Sequence, residues 1–480
     1  MGAMAAVLNK RDKDTSVTLF TMLKTMEQKR IEAFGIASTA TVNIERNLED
    51  LDQICSPILI GHVYSKILDS DKPQPMKLDD MKLVLEGRIY SPSMDFLRTD
   101  FLKQISNEET RNLGALIRLL EGSFAFAVAV EQGIIVGRDA MGLCPCYYGE
   151  NAYLAAVASQ RKALWKVGLD KVHSFPPGHI ALVNKNGFNL KPVKTLVQPE
   201  VKGTSLQNRA GELLRLLEQS IKVRLGGLEE VALAFSGGVD SSIIAVLAKT
   251  LGVEVHLICA SLKGEQEVKH AEGVAAALEL PLRLACYDPE DVEYVLPTVV
   301  QLIEDSDPVA ASIGVPIFWA SEVASDMGLR IMLTGQGADE LFGGYKRYVD
   351  YYMLHGAEFV RKALERDIFS MSQVNLERDS KISCFHNVEL RLPFVTYELA
   401  EFALALPLEL KIESAYDKLR KRVLRRMAVE AGLLGFIAER PKRAIQYTSG
   451  VSKVVRRLAR KKGLSTREFV KAEFDKAFWS

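Results

Sequence analysis

The stretch Ser236-Gly237-Gly238-Val239-Asp240-Ser241-Ser242 has the residue types and spacing to hold a phosphate chain. A run with strand character, Val231–Phe235, precedes it, and Ile243–Lys249 follows with the pattern of a helix packed on a sheet. In a strand, glycine-rich turn and helix, the glycines let the backbone approach an anion, and the free N–H groups of the helix start point at it. Ser236, Ser241 and Ser242 add hydroxyl donors. No Lys follows the glycines as it does in the GxxxxGK(S/T) loop. Asp240 would face the arriving phosphate, which makes sense only with a cation between them. Mg²⁺, held by one carboxylate and phosphate oxygens, meets that need. A second glycine-rich loop, Thr334–Tyr345, carries the acidic pair Asp339-Glu340. If the loops face each other across a sheet, Asp240 and Asp339 can share the Mg²⁺. A capped helix start would also account for an acidic pair there.

The surrounding elements predict how these loops are positioned. From Leu206 onward, helical and strand patterns alternate. Strands are expected at Val231–Phe235, Val255–Ala260, Leu282–Ala285 and Ile331–Thr334, with helices at Leu206–Arg224 and Glu267–Leu278. That alternation predicts an α/β domain over 205–480, a doubly wound parallel sheet with a helical region after Glu340. Ligands in such sheets bind at the carboxyl ends of strands, where Ser236 and Gly335 both fall. Residues 1–195 read as β-rich. Short apolar runs at Ile58–Gly61, Leu83–Gly87, Phe124–Val130, Ile134–Gly137 and His179–Val183 lie between helical stretches near Val17–Lys29 and Glu108–Leu120. Strands apolar on both sides predict a covered sheet and an α+β sandwich. Lys191–Thr204 reads as the linker.

Composition bounds the partners. Lys plus Arg and Asp plus Glu both number 61, so no global field draws the chain to nucleic acid or membrane. No apolar run reaches the ~20 residues of a membrane span, and the first residues lack a secretory pattern. The six Cys are scattered, with Cys144-Pro145-Cys146 the one cluster, and read as reduced thiols of a cytoplasmic protein.

The two loops together resemble the PP-loop ATP pyrophosphatases, and specifically the asparagine synthetase and β-lactam synthetase family. SGGVDS at 236–241 and TGQGADELFGGY at 334–345 match its two signatures. Val388–Phe394 resembles its VExRxPF, Lys421–Arg425 its KxxLR, and Arg440-Pro441-Lys442 its Arg-x-Lys. The resemblance implies ATP and Mg²⁺ as cofactors, Asp240 and Asp339 as metal ligands, and Ser236, Gly237, Gly238, Ser241, Ser242 and Gly335 around the pyrophosphate. It places Phe235 and Ala260 near adenine and assigns Lys442 to the developing charge of the leaving pyrophosphate. The implied reaction is adenylation of a small-molecule carboxylate, followed by amide formation with ammonia or an amine. The first half resembles the class II glutamine amidotransferase domain, an Ntn-hydrolase-like fold, through Leu120–Phe126, Arg138–Gly142, Tyr147–Gly149 and Pro176–His179.

Departures sit at the chemistry. The family's nucleophilic Cys after the initiator Met is Gly2 here, its Asn-Gly oxyanion pair is Glu86-Gly87, and its Gly-His-x-Arg ends in Tyr64. In the synthetase half, Gln336 stands where relatives carry an acid or Tyr, and an amide takes no proton at neutral pH. The Thr-Thr-x-Arg that holds aspartate in one branch is absent from the matching stretch, Ile303–Ser312. Within it, Glu304 could serve as base, with Asp305 and Asp307 in the substrate pocket beside Gln336. A solvated acidic loop would account for them equally.

Two other readings stay open. Other PP-loop enzymes adenylate tRNA, and Lys418–Arg426 and Lys453–Lys462 each hold six basic residues. Helical spacing also makes such runs solvated faces. A non-catalytic binding homologue is the third reading, against which both carboxylates stand intact. Without glutaminase chemistry the first domain would be structural or help form a homodimer. Glutamine hydrolysis needs a nucleophile, a base and oxyanion donors together. Incubation with glutamine, with and without ATP, is therefore expected to release no glutamate above a heat-killed control. Release that survives Cys55→Ala and Cys144→Ala would contradict this reading.

Overall fold

Apolar runs in the first 192 residues pair antiparallel into two sheets. The computed structural model describes the chain apart from residues 1, 27, 53, 79–80, 93–113, 115–116, 201–202, 204, 442–448 and 480. Its strands there are β1 (Gly2–Asn9), β2 (Ala33–Ala37), β3 (Val42–Glu45), β4 (Ile58–Tyr64), β5 (Met76–Leu78), β6 (Met81–Ser91), β7 (Glu121–Val130), β8 (Gly133–Arg138), β9 (Tyr147–Glu150), β10 (Leu154–Ala158), β11 (Val172–Ser174), β12 (His179–Asn184) and β13 (Gly187–Pro192). One sheet runs β11-β9-β10-β1-β4-β2-β3, the other β13-β12-β8-β7-β6-β5. Because side chains alternate along a strand, β1 serves two cores. Met4, Ala6 and Leu8 pack with Ala125, Ala127, Val136 and Val183 between the sheets. Ala3, Ala5 and Val7 pack outward on Leu19, Met22 and Leu23 of helix Ser16–Thr25 and on Ala163 and Leu164 of helix Arg161–Lys166. This is the expected α+β sandwich. Most of the helix expected at Glu108–Leu120 lies outside the described residues.

From residue 206 the chain builds five parallel strands, β14 (Glu230–Ala234), β15 (Glu254–Leu262), β16 (Leu282–Tyr287), β17 (Ile331–Leu333) and β18 (Glu389–Arg391), in the order β16-β15-β14-β17-β18. The chain steps from β14 outward to β16, then returns to the other side of β14 as β17. The crevice at a parallel sheet's carboxyl edge opens where that direction reverses, which here is between β14 and β17. The expected strands and helices of this half are present to within a few residues. The exception is β18, in a region expected to be helical. Its sequence, Glu-Leu-Arg, hides a buried strand because its two charges satisfy each other, Arg391 Nε lying 2.7 Å from Glu389 Oε1. The chain divides into two compact units, Met1–Thr195 with Cys384–Asn387, and Leu196–Ser383 with Val388–Ser480. Among the described residues no helix is long and apolar enough to cross a membrane, and all six cysteines are free thiols.

In the first unit, Gly2 at the start of β1 stands where the resembled domain has its nucleophile. A Cβ on Gly2 would collide with the Val63 carbonyl oxygen, so the strand pairing leaves no room for any side chain. The buried Glu86 carboxylate accepts the Gly2 N–H at 3.0 Å and lies 3.1 Å from His62 Nε2. Two thiols lie in this neighbourhood: Cys384, whose Sγ is 3.4 Å from the Gly2 carbonyl oxygen, and the buried Cys144, whose Sγ is 3.7 Å from the Glu86 carbonyl oxygen. Burial, then the charges of Glu86 and Asp139, push the Cys144 pKa well above the usual thiol range, so that thiol is no ready nucleophile. Burial alone would raise the Glu86 pKa, but the His62 hydrogen bond and nearby positive charge hold it below the ordinary carboxylate value. Its stabilising contribution is therefore complete above the unfolded-state pKa of about 4.3 and is lost as pH falls through the lower folded value. Glu86→Ala strips two buried donors of their acceptor and is expected to cost about 1–3 kcal/mol at neutral pH. Urea unfolding should show the gap to the parent closing only below about pH 4. A gap that widens in acid would contradict the assignment.

Candidate active site

The loops after β14 and β17 line one cavity of ≈ 370 Å³, within the range of small-molecule sites. Phe235, Ser236, Gly238, Asp240 and Ser241 line it from the first loop, Gly335, Gln336 and Asp339 from the second, and Ala260 from the end of β15. Helix Val239–Thr250 begins in the first loop and presents its N-terminus there. Ser241 Oγ braces the turn, donating to the Gly238 carbonyl at 3.3 Å and accepting the Ser236 N–H at 3.4 Å. Gly237 and Ser242 do not line the cavity. Gly237 packs on His270, whose Nε2 lies 2.9 Å from its carbonyl oxygen, and Ser242 is fully buried one residue further into the helix. Both support the phosphate loop from behind.

Asp240 and Asp339 do converge, and a cation already lies between them. Lys421 Nζ is 2.8 and 2.7 Å from the two Asp240 oxygens and 2.5 Å from Asp339 Oδ1, with its side chain wholly buried. A Cβ on Gly344 would collide with Asp339 Oδ1 and Lys421 Cε, so the second loop's glycine pair is what admits this cluster. The ammonium demonstrates the site's fit to a cation. Among the described residues no group of three or more His, Cys, Asp or Glu could hold a metal. Two hard carboxylates suit Mg²⁺, which takes its remaining ligands from phosphate and water.

The other acidic candidates go elsewhere. Glu304 is buried 3.0 Å from Lys381 Nζ and does not line the cavity. Asp307 caps helix Pro308–Asp326, accepting from the Val309 and Ala310 N–H groups, and Asp305 accepts the Asp307 N–H. The acidic stretch is thus spent on a helix start and a buried ion pair. Lys442 lies outside the described residues.

Several lining residues have no site role assigned from the sequence, although Arg425 and Arg440 fall in the KxxLR and Arg-x-Lys matches. Glu267 and Arg440 pair across 2.7 Å. Arg425 lines the wall while donating to the Arg420, Leu419 and Arg440 carbonyls. A π-helical turn, Ser372–Leu376, brings Val374 and Asn375 to the cavity, and Arg378 and Asp379 follow on helix Glu377–Phe385. Such turns recur at functional sites. The basic run 418–426 also changes meaning, because Arg420, Lys421 and Arg425 are buried in this site. Residues 453–462 behave as a solvated helix face, with Lys453 and Lys462 paired to Glu265 and Glu473.

Comparisons with known proteins agree with this geometry. The asparagine synthase family model matches residues 212–359 and 350–480, and a glutamine amidotransferase domain model matches 63–166. A Methanocaldococcus jannaschii protein named as asparagine synthetase (glutamine-hydrolyzing) 1 is 30% identical over 526 aligned positions, spanning 97% of each chain. Escherichia coli asparagine synthetase B (glutamine-hydrolyzing) is 26% identical, with 69% of this chain and 61% of its own covered. Arabidopsis thaliana asparagine synthetase (glutamine-hydrolyzing) 2 is 27% identical, with 64% and 55% covered.

Removing one partner of a buried ion cluster costs about 3–5 kcal/mol. Lys421→Met is therefore expected to melt well below the parent without Mg²⁺, because Asp240 and Asp339 are left facing each other. Adding Mg²⁺ should raise the variant's melting temperature far more than the parent's. Equal shifts in a thermal scan would show that the ammonium and the metal do not share a position.

Proposed function

The chain belongs to the asparagine synthetase family of ATP-dependent C–N ligases, and on that premise we propose that it adenylates a small-molecule carboxylate and forms an amide without hydrolysing glutamine. The observation that carries the reading is the Asp240–Lys421–Asp339 cluster at the switch point, beside the loop of Ser236, Gly238 and Ser241. Mg²⁺, when bound by Asp240 and Asp339, would neutralise the triphosphate. The helix start at Val239 and the hydroxyls of Ser236 and Ser241 hold the pyrophosphate portion. Phe235 and Ala260 face the nucleoside. The acceptor carboxylate displaces pyrophosphate from the α-phosphorus, with Lys442 opposing the charge that develops. Ammonia or an amine then displaces AMP.

The ammonia source follows from the first unit. Gly2 has no space for a nucleophile, and Glu86 engages the adjoining N–H. The amine therefore comes from solution or from the acceptor itself, and the first unit serves as support or in pairing two copies. The tRNA reading loses its main support, since half of the basic run 418–426 is buried around the aspartates.

Asp240→Asn and Asp339→Asn are each expected to lower AMP and pyrophosphate release by a factor of a hundred or more, on the order of 10². The assay is release of both products with Mg²⁺, an ammonium salt and a panel of acids. Release of ADP and phosphate would overturn the assignment.

A further inference from the structure

An amine must enter the cavity as well as a carboxylate. At neutral pH ammonia is present almost entirely as ammonium, which has no lone pair to attack with. A proton must therefore leave it, and the Gln336 amide takes none. Among the described residues the carboxylates that line the cavity are Asp240, Asp339, Glu267 and Asp379. The first two hold Lys421, and Glu267 pairs with Arg440. Glu340 accepts from Tyr345 and Asn375 and does not line the cavity. Asp379 is differently placed. It is 2% exposed, and its Oδ1 accepts from Arg378 Nε at 2.6 Å. Arg378 is its only side-chain hydrogen-bond and charge partner among the described residues, which leaves Oδ2 uncommitted. Burial raises the pKa of the group, and the Arg378 charge opposes that rise. The carboxylate is thus a stronger proton acceptor than a solvated one, while its charged form stays within reach. Asn375, one turn earlier, donates from Nδ2 to Glu340 Oε1 at 2.7 Å, which ties the segment before Asp379 to the short helix that carries Asp339.

Resting on the ligase reading above, we propose that Asp379 is the general base of amide formation, its Oδ2 taking a proton from the ammonium that enters the cavity. The transfer leaves ammonia and a neutral carboxyl group. The ammonia lone pair forms the C–N bond to the acyl carbon of the adenylate, the C–O bond to the phosphate breaks, and AMP leaves with that electron pair. Nitrogen loses its second proton to solvent, and Asp379 returns its own to solvent before the next turnover. Activation of the acceptor uses Asp240 and Asp339 and does not involve Asp379, so the two half-reactions separate in a variant.

The test compares two nucleophiles in the full chain, ammonium and hydroxylamine, the second being largely unprotonated at neutral pH. ATP, Mg²⁺ and the panel of acids are present, and acid-dependent exchange of labelled pyrophosphate into ATP is followed alongside. Asp379→Asn should leave exchange and hydroxamate formation near the parent's and lower amide formation from ammonium by a factor on the order of a hundred. Asp379→Glu should recover part of that loss. If Asp379→Asn fails to fold because the Arg378 charge is left unbalanced, Arg378→Gln/Asp379→Asn is compared with Arg378→Gln alone, and the fall in the ammonium-to-hydroxylamine product ratio should belong to the double variant. A ratio that loss of Asp379 does not change, whether both nucleophiles fall together or neither does, overturns the proposal. If no acid supports exchange, the ligase reading fails on its own account. Thallium(I), a monovalent cation close to ammonium in size, is then soaked into crystals. An anomalous peak against Asp379 that vanishes in Asp379→Asn would sustain the cation-accepting carboxylate without the ligase reading, and no peak there would remove both.

Discussion

Two ionised carboxylates held side by side and largely away from water repel each other unless positive charge lies between them, and the second unit is arranged around that constraint. Asp240 and Asp339 sit in the first turns of the helices that follow adjacent parallel strands, so the sheet itself fixes their spacing. Lys421 reaches both from the start of helix Arg422–Glu430. Arg420 ties that helix start to the glycine pair of the second loop through the Gly344 carbonyl, at 2.9 Å. The protein thus carries its own counter-ion between the two carboxylates proposed to hold a metal. An internal ammonium of this kind keeps the site formed before nucleotide arrives, and it leaves a cation ready for phosphate oxygens once displaced.

In the first unit, strand packing supports the proposal that glutamine is not hydrolysed there. Changing a nucleophile to glycine removes chemistry, but here the neighbouring strand has also closed over the position, with the Val63 carbonyl where a Cβ would go. Beside it the Glu86 carboxylate, held by the Gly2 N–H and close to His62 Nε2, places an anion where the resembled domain has a neutral amide. The sandwich itself rests on alternating apolar residues of β1 and β7, which fill its cores independently of these positions.

Much of this was legible in the sequence, for local reasons. The phosphate loop, its strand and its helix are contiguous, so residue order alone specifies Ser236–Ser242. The same holds for Asp339, whose loop directly follows β17. Features built from distant segments were not legible. Lys421 opens the KxxLR match, but nothing in the sequence places its ammonium between the two aspartates, and only the fold distinguishes the buried residues of that basic run from solvated neighbours. Arg378, Asn375 and Asp379 depend on a π-helical turn that no periodicity announces. Glu304, Asp305 and Asp307 misled because acidity was visible while its use was not. A capping Asp and an ion-paired Glu look like a substrate site until the helix start and Lys381 are placed. Strand β18 was masked for a related reason, since its charged residues pair internally.

The central claim is that the Asp240–Asp339 site activates a carboxylate by transferring AMP to it. The most direct measurement follows the carboxylate oxygen. Acceptor acids labelled with oxygen-18 in their carboxylates are turned over with ATP, Mg²⁺ and an ammonium salt, and the phosphorus products are analysed by mass spectrometry. The account predicts one labelled oxygen in AMP and none in pyrophosphate, because the acyl C–O bond breaks when the amine arrives. Label recovered in inorganic phosphate alongside ADP would contradict it.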